Sequence, residues 1–174
     1  MPAFIDNISD NNTNEIVLTE STAICQYLAD KYDNISDNNK SKNISLSPSH
    51  PEYGEYLNWL HRSDTTFTFP QAIFLRYQRY ETQERLQPQV ANDYLKWFHN
   101  RIRSVEAALE NKEYLCAGRF TIADICVGYA LYLALEIGIS ERLGPNTKAY
   151  LQRLMQLKCF KRAMEKQKHL DNIF

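Results

Sequence analysis

Hydrophobic and polar positions alternate in distinct rhythms along the chain. Residues 3–5 are apolar, residues 6–14 are a run of Asn, Asp, Ser and Thr, and residues 15–18 turn apolar again, which predicts strand, turn, strand. Thr19-Glu20-Ser21-Thr22 then offers capping residues ahead of Ala23, Ile24, Tyr27 and Leu28. Their spacing puts them on one face of a helix running to about Tyr32. Residues 33–49 hold few apolar anchors, and Pro48 and Pro51 bracket the start of the next element, so this stretch reads as a linker. The string Asp6-Asn7-Ile8-Ser9-Asp10-Asn11-Asn12 recurs at 33–39, a repeat far too short for a solenoid and read as loop filling.

From His50 onward the rhythm is helical. Tyr53, Tyr56, Leu57 and Leu60 begin one amphipathic helix, which Pro70 is expected to kink or interrupt before Ile73, Phe74 and Tyr77 resume it. Pro88 suits the first turn of a helix in which Leu95, Phe98, Ile102, Val105 and Leu109 recur at spacings of three and four. Residues 122–138 are apolar on nearly all sides, which predicts a helix enclosed by others, with Gly138 as its stop. Two shorter helices are expected at about 147–157 and 159–168.

The start of the enclosed helix carries the sharpest local signal. In Phe120-Thr121-Ile122-Ala123-Asp124-Ile125, Thr121 and Asp124 are spaced as a capping box, with Phe120 and Ile125 as the flanking hydrophobic staple. A helix buried all round cannot rely on water to satisfy its first N–H groups, so Thr121 and Asp124 are read as structural and not catalytic.

Composition narrows the function classes. The 174 residues carry 20 basic and 21 acidic side chains, a net charge of -1, so no overall field draws the molecule to nucleic acid or an anionic membrane. The basic positions Lys158, Lys161, Arg162, Lys166 and Lys168 read as a solvated helix face. The longest charge-free apolar stretch, 125–135, is too short to span a bilayer, and the first residues lack a secretory pattern, so a cytoplasmic location is expected. Cys25, Cys116, Cys126 and Cys159 are scattered without metal-ligand spacing, and reduced, mostly buried thiols are expected, with no metal.

Two segments together resemble a known family. Tyr114-Leu115-Cys116-Ala117-Gly118-Arg119-Phe120-Thr121-Ile122-Ala123-Asp124 is similar to the region that opens the central helix of the C-terminal domain in cytosolic glutathione transferases of bacterial type. Met1-Pro2-Ala3-Phe4, a polar turn, and Val17-Leu18-Thr19-Glu20-Ser21-Thr22-Ala23-Ile24-Cys25-Gln26-Tyr27-Leu28 resemble the last two strands and last helix of that family's thioredoxin-like domain. The implied fold is mainly α: a glutathione transferase C-terminal-like helical bundle over 50–174, preceded by a partial thioredoxin-like β-β-α unit over 1–32 and a linker over 33–49.

The resemblance also implies a chemistry. Glutathione would be the substrate, its thiolate attacking a small electrophile, in a chain that pairs as a homodimer and needs no metal. Ser21 at a helix N-terminus would meet the γ-glutamyl carboxylate, Glu20 the α-amino group, and the backbone of Met1 before Pro2, the counterpart of the family's cis-proline, the cysteinyl part. The first strand, first helix and second strand of the thioredoxin-like domain have no counterpart here, and no residue inherits their thiolate-activating Tyr, Ser or Cys. The 174-residue chain is therefore expected to be inactive, as a truncation, a start placed too far downstream or a degenerate member. The competing expectation is a non-catalytic interaction module, a use this helical domain also serves.

Overall fold

The computed structural model describes residues 3–7, 15–33 and 44–171, apart from the side chains of 7, 33 and 168–171. Met1, Pro2 and most of both copies of the seven-residue repeat lie outside the described residues.

The chain opens as the alternation predicts. β1 (Phe4–Asn7) and β2 (Glu15–Leu18) pair antiparallel, with Phe4 opposite Leu18 and Asp6 opposite Ile16. One face, with Phe4, Asp6, Ile16 and Leu18, is half-buried, while Ile5 and Val17 stand 56% and 57% exposed on the other. Helix α1 (Ser21–Asp33) lies against the inner face. The rings of Phe4 and Tyr27 meet with centroids 6.1 Å apart, the Tyr27 hydroxyl donates to the Asp6 carboxylate at 2.7 Å, and Lys31 pairs with the same carboxylate.

The next helical run differs from expectation at Pro70. Helix α2 (Tyr53–Arg62) passes into a π-helical segment, Ser63–Thr68, and then directly into α3 (Phe69–Leu75) and a second π-helical segment, Arg76–Tyr80. Proline lacks an N–H and its ring crowds the carbonyl four residues back; widening the turn ahead of it relieves both problems, so the chain stays helical and no break appears. The wide turn is closed by the Phe69 N–H bonding to the Asp64 carbonyl and by the Thr68 hydroxyl donating to the Ser63 carbonyl at 2.8 Å. Just past Pro70, the fully buried Gln71 donates to the carbonyls of Phe67 (3.0 Å) and Ala130 (2.9 Å), tying this helix to the centre of the bundle.

Helix α4 (Pro88–Ala108) starts at Pro88 as its sequence signals. Its face of Phe98, Ile102 and Val105 is buried. Helix α5 (Ile122–Glu136) is the element around which the others pack. It ends at Gly138, whose φ of +79° is costly for residues with a Cβ. There the Ile139 N–H bonds to the Ala134 carbonyl (2.9 Å) and the Gly138 N–H to that of Leu135 (3.1 Å), the two bonds of a Schellman stop. Helices α6 (Pro145–Gln156) and α7 (Lys158–Asp171) complete the bundle. At Gly128 a Cβ would lie 2.7 Å from Leu154 Cδ1, so the glycine sets how closely α6 approaches α5.

Contrary to its sequence pattern, α5 is not enclosed on all sides. Ile125 and Tyr129 are 39% and 58% exposed, and with Tyr132 they open on a groove of about 340 Å³ walled by Leu154, Leu157, Phe160 and Met164. An apolar pattern without polar interruption shows no core-facing side, and here one stripe lacks a covering helix among the described residues.

The capping box forms, and Asp124 is more than a cap. Its fully buried carboxylate accepts from the Thr121 N–H (2.8 Å) and hydroxyl (3.1 Å), from the Leu115 N–H (3.1 Å) and from the Tyr150 hydroxyl on α6 (2.7 Å). Burial holds its pKa above the ordinary carboxylate value, against the pull of these donors. An N-cap alone is worth about 1 kcal/mol. Removing this acceptor also strands two buried hydroxyls and two buried N–H groups, so Asp124→Ala is expected to cost roughly 3 to 5 kcal/mol. Thermal unfolding checks it, with Tm falling by about 10 °C. A change no larger than a single cap would explain shows that the four donors find other partners.

Candidate functional site at the start of α1

The first turn of α1 is built by the sequence at its boundary. The Ile24 N–H bonds to the Glu20 carbonyl at 2.9 Å, so Glu20 is the last residue before the helix, and the N–H groups of Ser21, Thr22 and Ala23 fall in the turn that has no intrahelical acceptors. Glu20 and Ser21 are both exposed. The hydroxyls expected to cap this helix are engaged elsewhere. Thr22 Oγ1 donates to Asp64 Oδ2 at 2.7 Å, and Ser21 Oγ makes a long contact with Asp64 Oδ1 at 3.5 Å. Asp64 sits in the π-helical segment after α2, so this contact joins the N-terminal unit to the helical domain.

The structure thus brings Glu20 and Ser21 together and adds Asp64 to them. Backbone N–H groups and the positive end of the α1 dipole suit a carboxylate, while the carboxylates of Glu20 and Asp64 suit an ammonium group. The combination fits the zwitterionic head of an α-amino acid. Nothing local in the sequence links Asp64 to Ser21, which lies 43 positions away, so the sequence alone does not pair them. Met1 and Pro2 lie outside the described residues, so their part in the site rests on the resemblance.

Apart from Asp64, the α2 to α3 run carries Trp59, Arg62, Phe67, Phe69 and Arg76, which make their contacts elsewhere. Trp59 and Phe67 are core, their rings stacked with centroids 6.4 Å apart and the Arg62 guanidinium over both. Arg76 pairs with Glu81 at 2.6 Å, and Phe69 is exposed, edge-on to Tyr94, which stacks on Trp97. All four cysteines are free thiols; Cys116 and Cys126 are buried, Cys25 half-buried and Cys159 exposed. Among the described residues no helix is long and apolar enough to cross a membrane.

Comparison with known proteins settles the family. The profile of the glutathione S-transferase C-terminal domain matches residues 65–158, more than half of the chain. The chain belongs to the glutathione transferase family. Glutathione S-transferase 1 of Schizosaccharomyces pombe is 28% identical over 97% of this chain and 76% of its own length. Among solved structures, Ure2p5 of Phanerochaete chrysosporium, cocrystallised with 1-(S-glutathionyl)-2,4-dinitrobenzene, superposes with a TM-score of 0.80 at 20% identity, covering 99% of this chain and 76% of Ure2p5. The glutathione transferase URE2P6 of the same fungus, in complex with oxidised glutathione, gives 0.79 at 24% identity over 97% of this chain and 73% of its own. This member of the family therefore has the fold expected, mainly α with a two-stranded unit ahead of the bundle.

The hairpin that precedes Ser21 is held to α1 through Asp6, and that attachment titrates. Lys31 and Tyr27, donating to Asp6, hold its carboxyl below the ordinary carboxylate value. A depressed acid stabilises the fold above its unfolded pKa, about 4, and that contribution is lost as pH falls through the lower folded value. Between pH 5 and pH 2 the wild type should accordingly lose more stability than Asp6→Asn, and the gap should shrink in high salt. Parallel acid titrations of the two, monitored by circular dichroism, check this; identical acid limbs contradict it.

Proposed function

We propose that this glutathione transferase chain holds the γ-glutamyl end of glutathione at the first turn of α1. Its carboxylate would lie on the N–H groups and hydroxyl of Ser21, and its ammonium between Glu20 and Asp64. The observation that carries the reading is the meeting of an exposed helix N-terminus with two carboxylates from different parts of the fold. It is supported by family membership and by glutathione species in solved relatives, oxidised glutathione in URE2P6 and a glutathionyl conjugate in Ure2p5. In the conjugation reaction that family membership implies, the glutathione thiolate would attack an electrophilic carbon, forming a C–S bond as the leaving group departs. Met1 and Pro2 would present backbone groups to the cysteinyl part.

The 174-residue chain contains no hydroxyl or thiol that the resemblance assigns to activating the glutathione thiolate. We therefore take it as a binder of glutathione and not a catalyst of conjugation. A cytoplasmic homodimer is the corresponding assembly, and the aromatic row of exposed Phe69 and Trp97 with half-buried Tyr94 between them is a surface suited to pairing. The same surface would serve the second reading, a non-catalytic interaction module.

Two measurements test the proposal. Calorimetric titration with glutathione should give affinity that falls about tenfold in Ser21→Ala, the loss of one hydrogen bond to a charged group, with Tm nearly unchanged. Equal affinities move the site elsewhere, and no affinity in either protein favours the interaction module. With glutathione and a chlorodinitrobenzene, the chain should give no turnover above the uncatalysed rate; clear turnover would mean that one of its own residues activates the thiolate.

A further inference from the structure

Helix α5 turns one apolar stripe outward. Ile125, Tyr129 and Tyr132 follow one another at i, i+4 and i+7, with Ile125 39% and Tyr129 58% exposed. Helix α7 lies beside this stripe: the Phe160 ring meets the Tyr132 ring edge-on, with centroids 5.3 Å apart, and Cys159, Ala163 and Met164 form the facing wall. Leu154 of α6 closes the floor beside Gly128. The lining ends at Tyr132 on α5 and at Gln167 on α7, while Phe120 and Ile125 also border it, so α7 runs back along α5 toward the Phe120 end. Among the described residues none from α1, from the α2 to α3 run or from α4 lines this groove. It is therefore separate from the turn of Ser21 and Asp64 and from the aromatic row of Phe69, Tyr94 and Trp97.

Two helices with an open apolar seam between them, floored by a third, present the surface into which a further helix packs. The seam follows α5 from Ile125 to Tyr132 and α7 from Cys159 to Gln167, about two turns of each. Its α5 wall stays exposed along that length, whereas a small-molecule site buries about 70 to 90% of its ligand, so an extended occupant fits better than a compact one. Charge narrows the occupant further. On α7, Cys159, Ala163 and Lys166 stand at i, i+4 and i+7, so the stripe that walls the groove ends on Lys166, and Arg162 stands one turn before it at the rim. Both are exposed, and among the described residues neither forms an ion pair. Asp124 also borders the groove, but its carboxylate is committed to Thr121, Leu115 and Tyr150. Glu136, exposed and one turn past Tyr132, lies beyond the other end. The free charge along the α7 rim is thus positive.

We propose that the groove between α5 and α7 is a docking surface for an amphipathic helix of a partner protein, one that carries acidic residues beside its apolar stripe. The partner's apolar side chains at i, i+3, i+4 and i+7 fill the seam over Leu154, against Tyr129, Phe160 and Met164, and its carboxylates meet Lys166 and Arg162. Covering the stripe removes Ile125 and Tyr129 from water, which supplies the attraction, while the charged rim selects among amphipathic helices of similar apolar face. The surface shares no residue with the first turn of α1 and stands whether or not that turn binds glutathione.

The test titrates the 174-residue protein into a fluorescein-labelled amphipathic peptide of about 15 residues, long enough to span the seam, with Leu on one stripe and Glu on the flanking positions. Fluorescence anisotropy should show saturable one-to-one binding that saturating glutathione leaves unchanged. The same peptide with Lys in place of Glu should bind roughly fivefold or more weakly, on the scale of two exposed charge pairs. The double variant Arg162→Glu, Lys166→Glu should reverse that preference. Tyr129→Glu, at a position already more than half exposed, should abolish binding of both peptides with Tm unchanged. Equal affinities for the two peptides, undiminished binding by Tyr129→Glu, no binding of either peptide, or displacement by glutathione would each overturn the proposal. So would sedimentation showing a dimer that Tyr129→Glu dissociates, since a second copy of the chain would then fill the groove.

Discussion

A carboxylate with no access to water organises this protein. Asp124 accepts from Thr121, Leu115 and Tyr150, so one ionisable group closes the start of α5, fixes the loop that leads into it and anchors α6. Burying a carboxylate costs far more than one cap returns, which is why a single helix start needs four donors. Tyr150 is suited to the task, because its own burial and the neighbouring carboxylate push its hydroxyl well above the ordinary value and keep it a donor.

With α5 in place, the rest of the bundle has its frame. Gln71 docks the α2 to α3 run on the Ala130 carbonyl, and the Ile122 N–H takes the carbonyl of Ile44, which brings Leu46 into the core. Helix α6 has no side-chain cap of its own. Its Asn146 and Thr147 N–H groups donate to Glu106 of α4 at 3.0 and 2.8 Å. Burial would raise Glu106, but these bonds and the Thr147 hydroxyl hold it below its usual range. The N-terminal unit meets the bundle through Ala29 and Cys25 against the core and through Thr22 on Asp64. The candidate ligand turn thus lies where α1 meets the helical bundle.

Much of this is legible in the sequence, and the parts that are not share a cause. Local chemistry announces the start of α4 at Pro88, the stop of α5 at Gly138 and the Thr121 and Asp124 box, because each acts within a few residues of itself. Partners far along the chain leave no mark. Tyr150 and Leu115 on Asp124, Glu106 on α6, and Asp64 beside Ser21 are contacts that only the assembled fold creates. Pro70 is legible as a disturbance but not in its form, since a π-helical turn absorbs it with no sequence signature of its own. Of the site, Glu20 and Ser21 can be read as a helix start with an acidic neighbour, whereas the second carboxylate cannot.

If the Asp124 carboxylate organises the bundle, it must hold the loop before α5 as firmly as the helix itself. Native-state hydrogen exchange tests this through the Leu115 and Thr121 amides, both outside any helix and both donors to that carboxylate. These two amides should exchange only through global unfolding, at the rate of amides in the middle of α5. Exchange at rates typical of an open loop, while α5 stays protected, would contradict that role for Asp124.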